Sequence, residues 1–204
     1  MPESNHASLP NSASAGSRSG GSTERVLQAA SAAGLNIEFR VMPESTRTAE
    51  EAALACGCSV GQIVKSLVFQ RVDTSALVLL LIAGDRMADL PAVAREVGAE
   101  LVRADPKRVR RETGFAIGGV APIGHLATLP VFMDAALLGH ESVWAAAGAP
   151  NSVFRVDPKQ LCEAASATVL GARCARSLNR RDQILRVAPA VRAERAPVRR
   201  RPLN

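Results

Sequence analysis

Aromatic side chains are scarce in this sequence: tyrosine is absent, and all aromatic residues together make up 3% of the 204 residues. Apolar residues still account for 47% of the chain, so a core must be packed mainly from valine, leucine, isoleucine and alanine. A chain of this length supports one well-buried core and is short for two. The composition therefore predicts a single globular domain.

Long hydrophobic runs are also missing. The longest apolar stretch, residues 76–83, is strand-sized and far below the roughly 18 residues of a membrane span. The N-terminus has no apolar segment behind a basic start, as a secretory signal would have. We therefore expect a cytoplasmic protein with no membrane partner.

Cysteine and histidine are too few and too scattered for a familiar metal site. Only Cys56 and Cys58 are close in sequence, and Cys-x-Cys without a nearby histidine is a poor zinc signature. We expect reduced thiols, no metal and no cofactor. The sequence also lacks a Gly-x-Ser-x-Gly elbow, a phosphate-binding loop and a dinucleotide fingerprint. The common hydrolase and nucleotide-binding motifs are thus excluded.

The net charge of +6 is concentrated at one end of the chain. Residues 171–204 contain ten arginines and two acidic residues, and we predict a largely flexible arm with a short helix over 172–187. Residues 1–22 are rich in serine, glycine and alanine, which predicts disorder. The folded domain is expected over 23–170. The arm suits RNA, but a segment without a role and contact with an anionic membrane remain alternatives.

The hydrophobic periodicity predicts interspersed hairpins and helices. Helices are predicted over 24–33, 49–56, 85–98, 106–113 and 158–165, and strands over 37–42, 63–72, 76–83, 100–103, 131–133, 143–146 and 153–156. This order favours an α/β fold with a mixed β-sheet or a partly closed barrel flanked by helices, rather than a doubly wound sheet.

One lysine interrupts a strand that is otherwise built for a core. Lys65 lies within the apolar run 63–69. Burying an unpaired ammonium costs several kcal/mol, so Lys65 either faces solvent on an edge strand or is held in a polar cleft. Both interpretations remain open at this point.

The second unusual feature is the loop over residues 113–125, which has no polar side chain between its two ends. Gly118 and Gly119 allow the backbone to approach a ligand closely and to direct N–H groups at an oxygen atom. Pro122 stiffens the exit from the loop. A tight turn packed under the sheet is the alternative interpretation.

Four segments together resemble the YbaK family: TAEEAALACGCSVGQIVKSLVF, GDRMADLPAVAREVGA, TGFAIGGVAPIGH and VWAAAG. That family comprises free-standing aminoacyl-tRNA deacylases and the editing insertion of bacterial prolyl-tRNA synthetases. The resemblance spans residues 23–170. It implies a mixed sheet flanked by helices, and hydrolysis of the ester that joins a small amino acid to the terminal ribose of tRNA.

The resemblance also implies roles for individual residues. Lys65 matches the essential lysine of the family, and Ser66 matches the small hydroxyl residue beside it. Gly118 and Pro122 match the ends of a Gly-x-x-x-Pro loop whose amides lie near the scissile carbonyl. The expected catalytic set is Lys65, Gly118, Gly119 and Pro122, and the expected substrate-binding set is Ser66, Ala146 and Gly148.

Ala146 is a departure from some family members, which carry serine there for a cysteinyl-tRNA substrate. The expected substrate is therefore alanyl-tRNA or a similar mischarged species, on the proline tRNA. An aminoacyl-tRNA synthetase is a candidate protein partner. A non-catalytic tRNA-binding accessory or an interaction module is the alternative to an enzyme.

No serine–histidine or cysteine–histidine nucleophile is evident. We expect water or the ribose hydroxyl to attack, the loop amides to stabilise the oxyanion, and Lys65 to orient the substrate. His125 and Asp134 are excluded from the catalytic set. The basic helix over 107–111 either meets tRNA phosphate or is a solvated face. This mechanism requires Lys65 and the backbone of residues 118–122 to share one cleft.

Overall fold

The computed structural model describes residues 20–42 and 48–178. Residues 1–19 of the segment predicted to be disordered, and the flexible arm predicted beyond residue 178, lie outside the described residues. The prediction of disorder is wrong for residues 20–22, which form the first turn of a helix. The helices are α1 (Gly20–Ala32), α2 (Ala49–Cys56), α3 (Leu90–Val97), α4 (Pro106–Thr113) and α5 (Pro158–Ala164). The strands are β1 (Glu38–Val41), β2 (Val64–Arg71), β3 (Leu77–Ala83), β4 (Arg86–Ala88), β5 (Leu101–Arg103), β6 (Val131–Asp134), β7 (Val143–Ala146), β8 (Ser152–Val156), β9 (Thr168–Leu170) and β10 (Ala175–Ser177).

A five-stranded mixed sheet forms the centre of the fold, in the order β5-β2-β3-β6-β9. β2 and β3 form an antiparallel hairpin, and β5 pairs antiparallel with the far end of β2. β6 and β9 continue the sheet in parallel. Every residue of β3 is buried, as expected for a strand that is apolar on both faces. The predicted hairpin and the mixed sheet are confirmed.

Two smaller sheets complete the architecture. β1, β8 and β7 form an antiparallel sheet, and β10 pairs with β4. A parallel bridge between Ile63 and Trp144 connects the start of β2 to β7. Over residues 20–42 and 48–178 the sheets stay open and form no closed barrel. Of the two predicted architectures, the mixed sheet flanked by helices is therefore the one observed.

Local sequence signals set several helix ends. Thr48 caps α2 through a capping box with Glu51, and Gly57 ends the helix in the left-handed conformation. Asp105 caps α4 by accepting the Arg108 N–H, with Pro106 in the first turn. These predicted ends are confirmed to within one residue.

Two predicted elements are wrong in part. The predicted helix over 85–98 begins only at Leu90, because Arg86–Ala88 forms β4 instead. The short helix predicted over 172–187 is replaced, in its described part, by one 3₁₀ turn and by β10. The cause is tertiary: β4 and β10 pair with each other, and Cys174 and Ala175 are buried in the core. The fold thus extends beyond residue 170, into the segment assigned to the arm.

Three further observations concern the described part of the chain. None of its helices has the length and apolar character needed to cross a membrane. No group of three or more histidine, cysteine or acidic side chains is arranged to hold a metal ion there. The four cysteines are free thiols, and burial raises the pKa of Cys56 to about 11.

Candidate active site

A cleft of about 870 Å³ opens at the uncovered edge of the first half of β2. β5 pairs only with Phe69–Arg71, so the edge from Val64 to Leu67 is not covered by that strand. The walls come from the N-terminal turn of α2, the loop at Ile117–Val120, β7, and the segment from Ala149 to Val153. Of the predicted site residues, those that line the cleft are Lys65, Ser66, Gly118 and Ala146.

Ser66 presents a polar group that the fold leaves unused. Its Oγ is buried and has no hydrogen-bond partner among the described residues. Strand alternation places Ser66 on the same sheet face as Val64, which packs in one core cluster with Val120 of the loop. A buried hydroxyl without a partner costs about 1–3 kcal/mol, so native structures rarely keep one without a reason. A ligand in the cleft would supply the missing partner.

The loop at Gly118 is shaped by a tight turn. The Gly119 N–H donates to the Ala116 oxygen at 3.0 Å, and Gly118 has φ of +91°, a value that favours glycine. The amide of Gly119 is therefore occupied by the turn. The amides of Gly118 and Val120, by contrast, donate no hydrogen bond within the described part of the chain, and both residues line the cleft. They are available donors.

Lys65 is half-buried, and its ammonium is held by the turn between β3 and β4. Nζ donates to the Gly84 oxygen at 3.0 Å and to the Arg86 oxygen. Lys65 is thus not a freely solvated edge residue, and the polar-cleft interpretation fits better. Both of these acceptors are main-chain carbonyl oxygens.

Lys65 and the loop share the cleft but leave the sheet on different faces. Lys65 lies on the same face of β2 as Leu67 and Phe69, whereas Val120 packs against the opposite face, with Val64 and Val68. Both can line one cleft because it lies along the edge of β2 that β5 leaves uncovered, and residues of both faces, from Val64 to Leu67, line it there. Of the loop backbone that the sequence condition named, residues 118–122, Gly118 and Val120 line the same cleft as Lys65, and the other three residues do not.

The remaining predicted residues lie behind the walls. Gly119 and Pro122 are buried and do not line the cleft, and neither does Gly148. Gly148 has φ of +90°, and a Cβ there would lie 2.8 Å from the Ser22 oxygen. It shapes the turn that carries Ala149 into the cleft.

His125 and Asp134 lie in separate surroundings. Asp134 is 2% exposed and forms an ion pair with Arg86 at 3.1 Å. His125 packs edge-on against Phe115 and is hydrogen-bonded to the backbone of Ala121. Burial lowers the pKa of His125, which favours the neutral imidazole. His125 and Asp134 therefore do not form an acid–base pair with each other, and their contacts are structural.

The sequence analysis did not predict that α1 and α2 contribute to the site. Thr48, Glu50 and Ala52 line the cleft from α2, and Arg25 of α1 contacts the ends of the loop. The capping box located the start of α2 along the chain, but no local signal says which strand it packs beside. Arg25 occurs in an ordinary amphipathic pattern that gives no indication of its partners.

A mixed α/β domain with this cleft matches one family of known proteins. The family model for the aminoacyl-tRNA editing domain matches residues 43–164, and the chain belongs to this family. The YbaK-type resemblance seen in the sequence is thereby confirmed.

Individual proteins and solved structures are similar to this chain. A curated relative, the uncharacterized protein YwhH of Bacillus subtilis (strain 168), is 34% identical over 119 residues, covering 58% of this chain and 75% of the relative. A solved structure described as a proposed trans-editing enzyme for prolyl tRNA synthetase is 46% identical, with a TM-score of 0.68, covering 72% of this chain and 94% of that one. A scaffold protein used for computational epitope grafting is 43% identical, with a TM-score of 0.69, covering 74% of this chain and 96% of that one.

Proposed function

We propose that the protein is an aminoacyl-tRNA deacylase, which hydrolyses the ester of a mischarged small amino acid as a free-standing editing factor. The observation that carries the proposal is the group of unused hydrogen-bonding atoms in the cleft. These are the Ser66 hydroxyl and the amides of Gly118 and Val120. An ester linked to a ribose offers the carbonyl and hydroxyl oxygens that such atoms would bind.

The amides would act on the transition state. Attack on an ester carbonyl places negative charge on its oxygen, and fixed backbone donors stabilise that oxyanion without reorganising. A single donor of this kind contributes about 3–4 kcal/mol in other hydrolases. Gly118 and Val120 are the donors to which we assign this role. Water or the neighbouring ribose hydroxyl would be the attacking group.

Lys65 would supply positive charge at the nucleotide end of the cleft. Its contacts with the Gly84 and Arg86 carbonyl oxygens fix the position of the ammonium. The charge would attract the terminal phosphate and orient the ribose, so that the ester meets the loop amides. Lys65 is in this proposal a substrate-binding and orienting residue.

The apolar wall of the cleft supports a small aminoacyl group. It is built from Ala145, Ala146, Ala149 and Val153, which are apolar and short. Such a wall sorts substrates by size, with about 1–3 kcal/mol for each methylene group. No hydroxyl is present at Ala146 to favour a cysteinyl group. Alanyl-tRNA is the expected substrate, and the proline tRNA is the expected carrier because of the similar trans-editing protein.

The experiment is a deacylation assay on a panel of charged tRNAs. The protein is incubated with Ala-, Ser-, Cys- and Pro-tRNA(Pro), and loss of the ester is followed by the labelled terminal adenosine. We expect rapid hydrolysis of Ala-tRNA(Pro) and survival of Pro-tRNA(Pro). Binding of all four without hydrolysis above the spontaneous rate would instead indicate a non-catalytic tRNA-binding module.

Lys65→Met provides the matched variant, since it keeps the aliphatic stem and removes the charge. We expect a folded protein by circular dichroism with kcat/KM lowered by about 100-fold, the cost of misplacing a substrate by about 1 Å. Lys65→Arg should recover part of the loss. Unchanged turnover by Lys65→Met would remove Lys65 from the site.

A further inference from the structure

We infer that Arg25 is a positioning residue for the reaction, because the N-terminal turns of α1 hold both walls of the cleft at a fixed separation. The inference rests on the proposed function, and it extends the site to a helix outside the segment matched by the family model, residues 43–164. Arg25 contacts no substrate in this account. It acts through the backbone of the loop.

The first wall is held by the Arg25 guanidinium. Nη2 donates to the Gly114 oxygen at 3.0 Å, and Nε donates to the Gly124 oxygen at 3.4 Å. The same group lies 5.2 Å from the centre of the Phe115 ring. One side chain therefore connects the two ends of the loop that carries Gly118.

The middle of the loop depends on those ends. Its backbone hydrogen bonds include the internal turn at Gly119 and two bonds that close its base, from Leu126 to the Thr113 oxygen and from Ala127 to the Glu112 oxygen. The amides of Gly114 and Phe115 donate to residues of the preceding helix end. The Gly118 and Val120 amides have no acceptor within this part of the chain. Apolar packing, the hydrogen bond between His125 and the Ala121 backbone, and the close packing of Gly119 on the Ala149 backbone also position the loop, and the Arg25 contacts are the ones that join its two ends.

The second wall is held by the first turn of α1. The Ser22 Oγ donates to the Gly148 oxygen at 2.8 Å, and the Thr23 and Ser152 hydroxyls lie 3.4 Å apart. Ser152 lines the cleft and Gly148 precedes the lining residue Ala149. Val26 and Ala30 are buried in the core and hold α1 in place, so the helix connects the two walls rigidly.

If α1 holds the two walls in this way, loss of the Arg25 contacts should impair catalysis more than substrate binding. Moving a backbone donor by about 1 Å costs about 100-fold in rate when it serves the transition state. The Lys65 charge and the Ala145–Ala146 wall do not depend on Arg25, so binding should be retained. We expect Arg25→Ala to lower kcat by about 100-fold while KM changes by less than about threefold.

The test includes chemical rescue and a control arginine. Guanidinium ion added to Arg25→Ala should restore kcat at least about tenfold, since it can occupy the vacated position between the two carbonyls. Arg71 is the matched control, a similarly half-buried arginine that bonds the Val97 carbonyl and Asp73 far from the cleft. Arg71→Ala should lose stability but keep kcat, and guanidinium should not affect it.

A second readout is independent of activity. In ¹⁵N–¹H spectra of the full chain, the Gly118 and Val120 amides should shift in Arg25→Ala and return towards their wild-type positions with guanidinium. Unshifted loop amides, or a loss of stability with unchanged kcat, would overturn the positioning role. If wild-type protein lacks deacylase activity altogether, the proposed function fails, while the amide shifts still decide whether Arg25 holds the loop.

Discussion

Replacement of Ser66 by alanine should stabilise the protein and impair its activity together. The Ser66 hydroxyl is buried without a partner among residues 20–42 and 48–178, whereas the unfolded chain hydrates it. Removing it relieves a desolvation cost of about 1–3 kcal/mol, less the small loss of packing. We expect a net gain of about 1 kcal/mol, which raises Tm by about 2–4 °C in a protein of this size.

The same change removes a hydrogen bond to the substrate. A neutral hydrogen bond contributes about 0.5–1.5 kcal/mol, and about 1.4 kcal/mol corresponds to a factor of ten. The value of kcat/KM should therefore fall by about tenfold. Tm is measured by differential scanning calorimetry, and kcat/KM by deacylation of Ala-tRNA(Pro).

Ser142 provides the control, because its buried hydroxyl accepts from the Arg155 Nε at 2.8 Å and it does not line the cleft. Ser142→Ala leaves that donor without its acceptor, so Tm should fall and kcat/KM should stay at the wild-type value. A Ser66→Ala variant that is less stable than wild type, or equally active, would refute the reasoning on the unused hydroxyl.

Three further predictions concern regions around the cleft. Replacing the exposed Lys107, Arg110 and Arg111 of α4 by alanine should weaken tRNA binding. The slope of log K against log salt concentration should become shallower by about 0.9 for each lost phosphate contact, whereas Lys159→Ala on α5 should leave it unchanged. Equal slopes for the α4 variant and the wild type would assign α4 to a solvated face. A chain ending at Leu170 should be less stable than one ending at Leu178 by about 3 kcal/mol or more in urea unfolding, because β10 and the carbonyl partners of Arg86 are removed. His125 has a folded-state pKa below its usual value of 6.5, so the unfolded chain takes up a proton first and stability should fall as pH drops below about 6.5. His125→Gln should lessen this fall, and an unchanged pH dependence would contradict the burial of a neutral imidazole.

Local sequence signals predicted the elements whose ends are set by local chemistry. The Thr48 capping box, the Asp105-Pro106 start of α4 and the buried apolar strand β3 all follow from neighbouring residues. Their physical causes act within a few residues, so they are visible in the sequence.

The errors occurred where distant pairing decides the structure. Residues 86–88 have a pattern compatible with a helix, but the described tail returns as β10 and pairs with them. A contact between residues separated by about ninety positions leaves no local signal. The contacts of Arg25 could not be predicted for the same reason, because its acceptors at Gly114 and Gly124 are equally remote in sequence.

For the candidate site, the sequence predicted Lys65, Ser66 and the loop but not their geometry. Alternation along β2 places Lys65 on the face of the strand opposite to the loop. Both line one cleft because β5 leaves the first half of β2 uncovered. The sequence also did not show that the Gly119 amide is occupied and the Gly118 and Val120 amides are not, because this depends on the turn that bonds Gly119 to the Ala116 oxygen.

The most direct test is an NMR titration of the ¹⁵N-labelled full chain with a hydrolysis-resistant analogue, alanine amide-linked to the 3′ position of adenosine. We predict saturable shifts at the amides of Gly118 and Val120 and at Ser66, with a much smaller change at the Gly119 amide. Binding that leaves these three positions unperturbed and shifts another surface would contradict the assignment of this cleft as the site of ester hydrolysis.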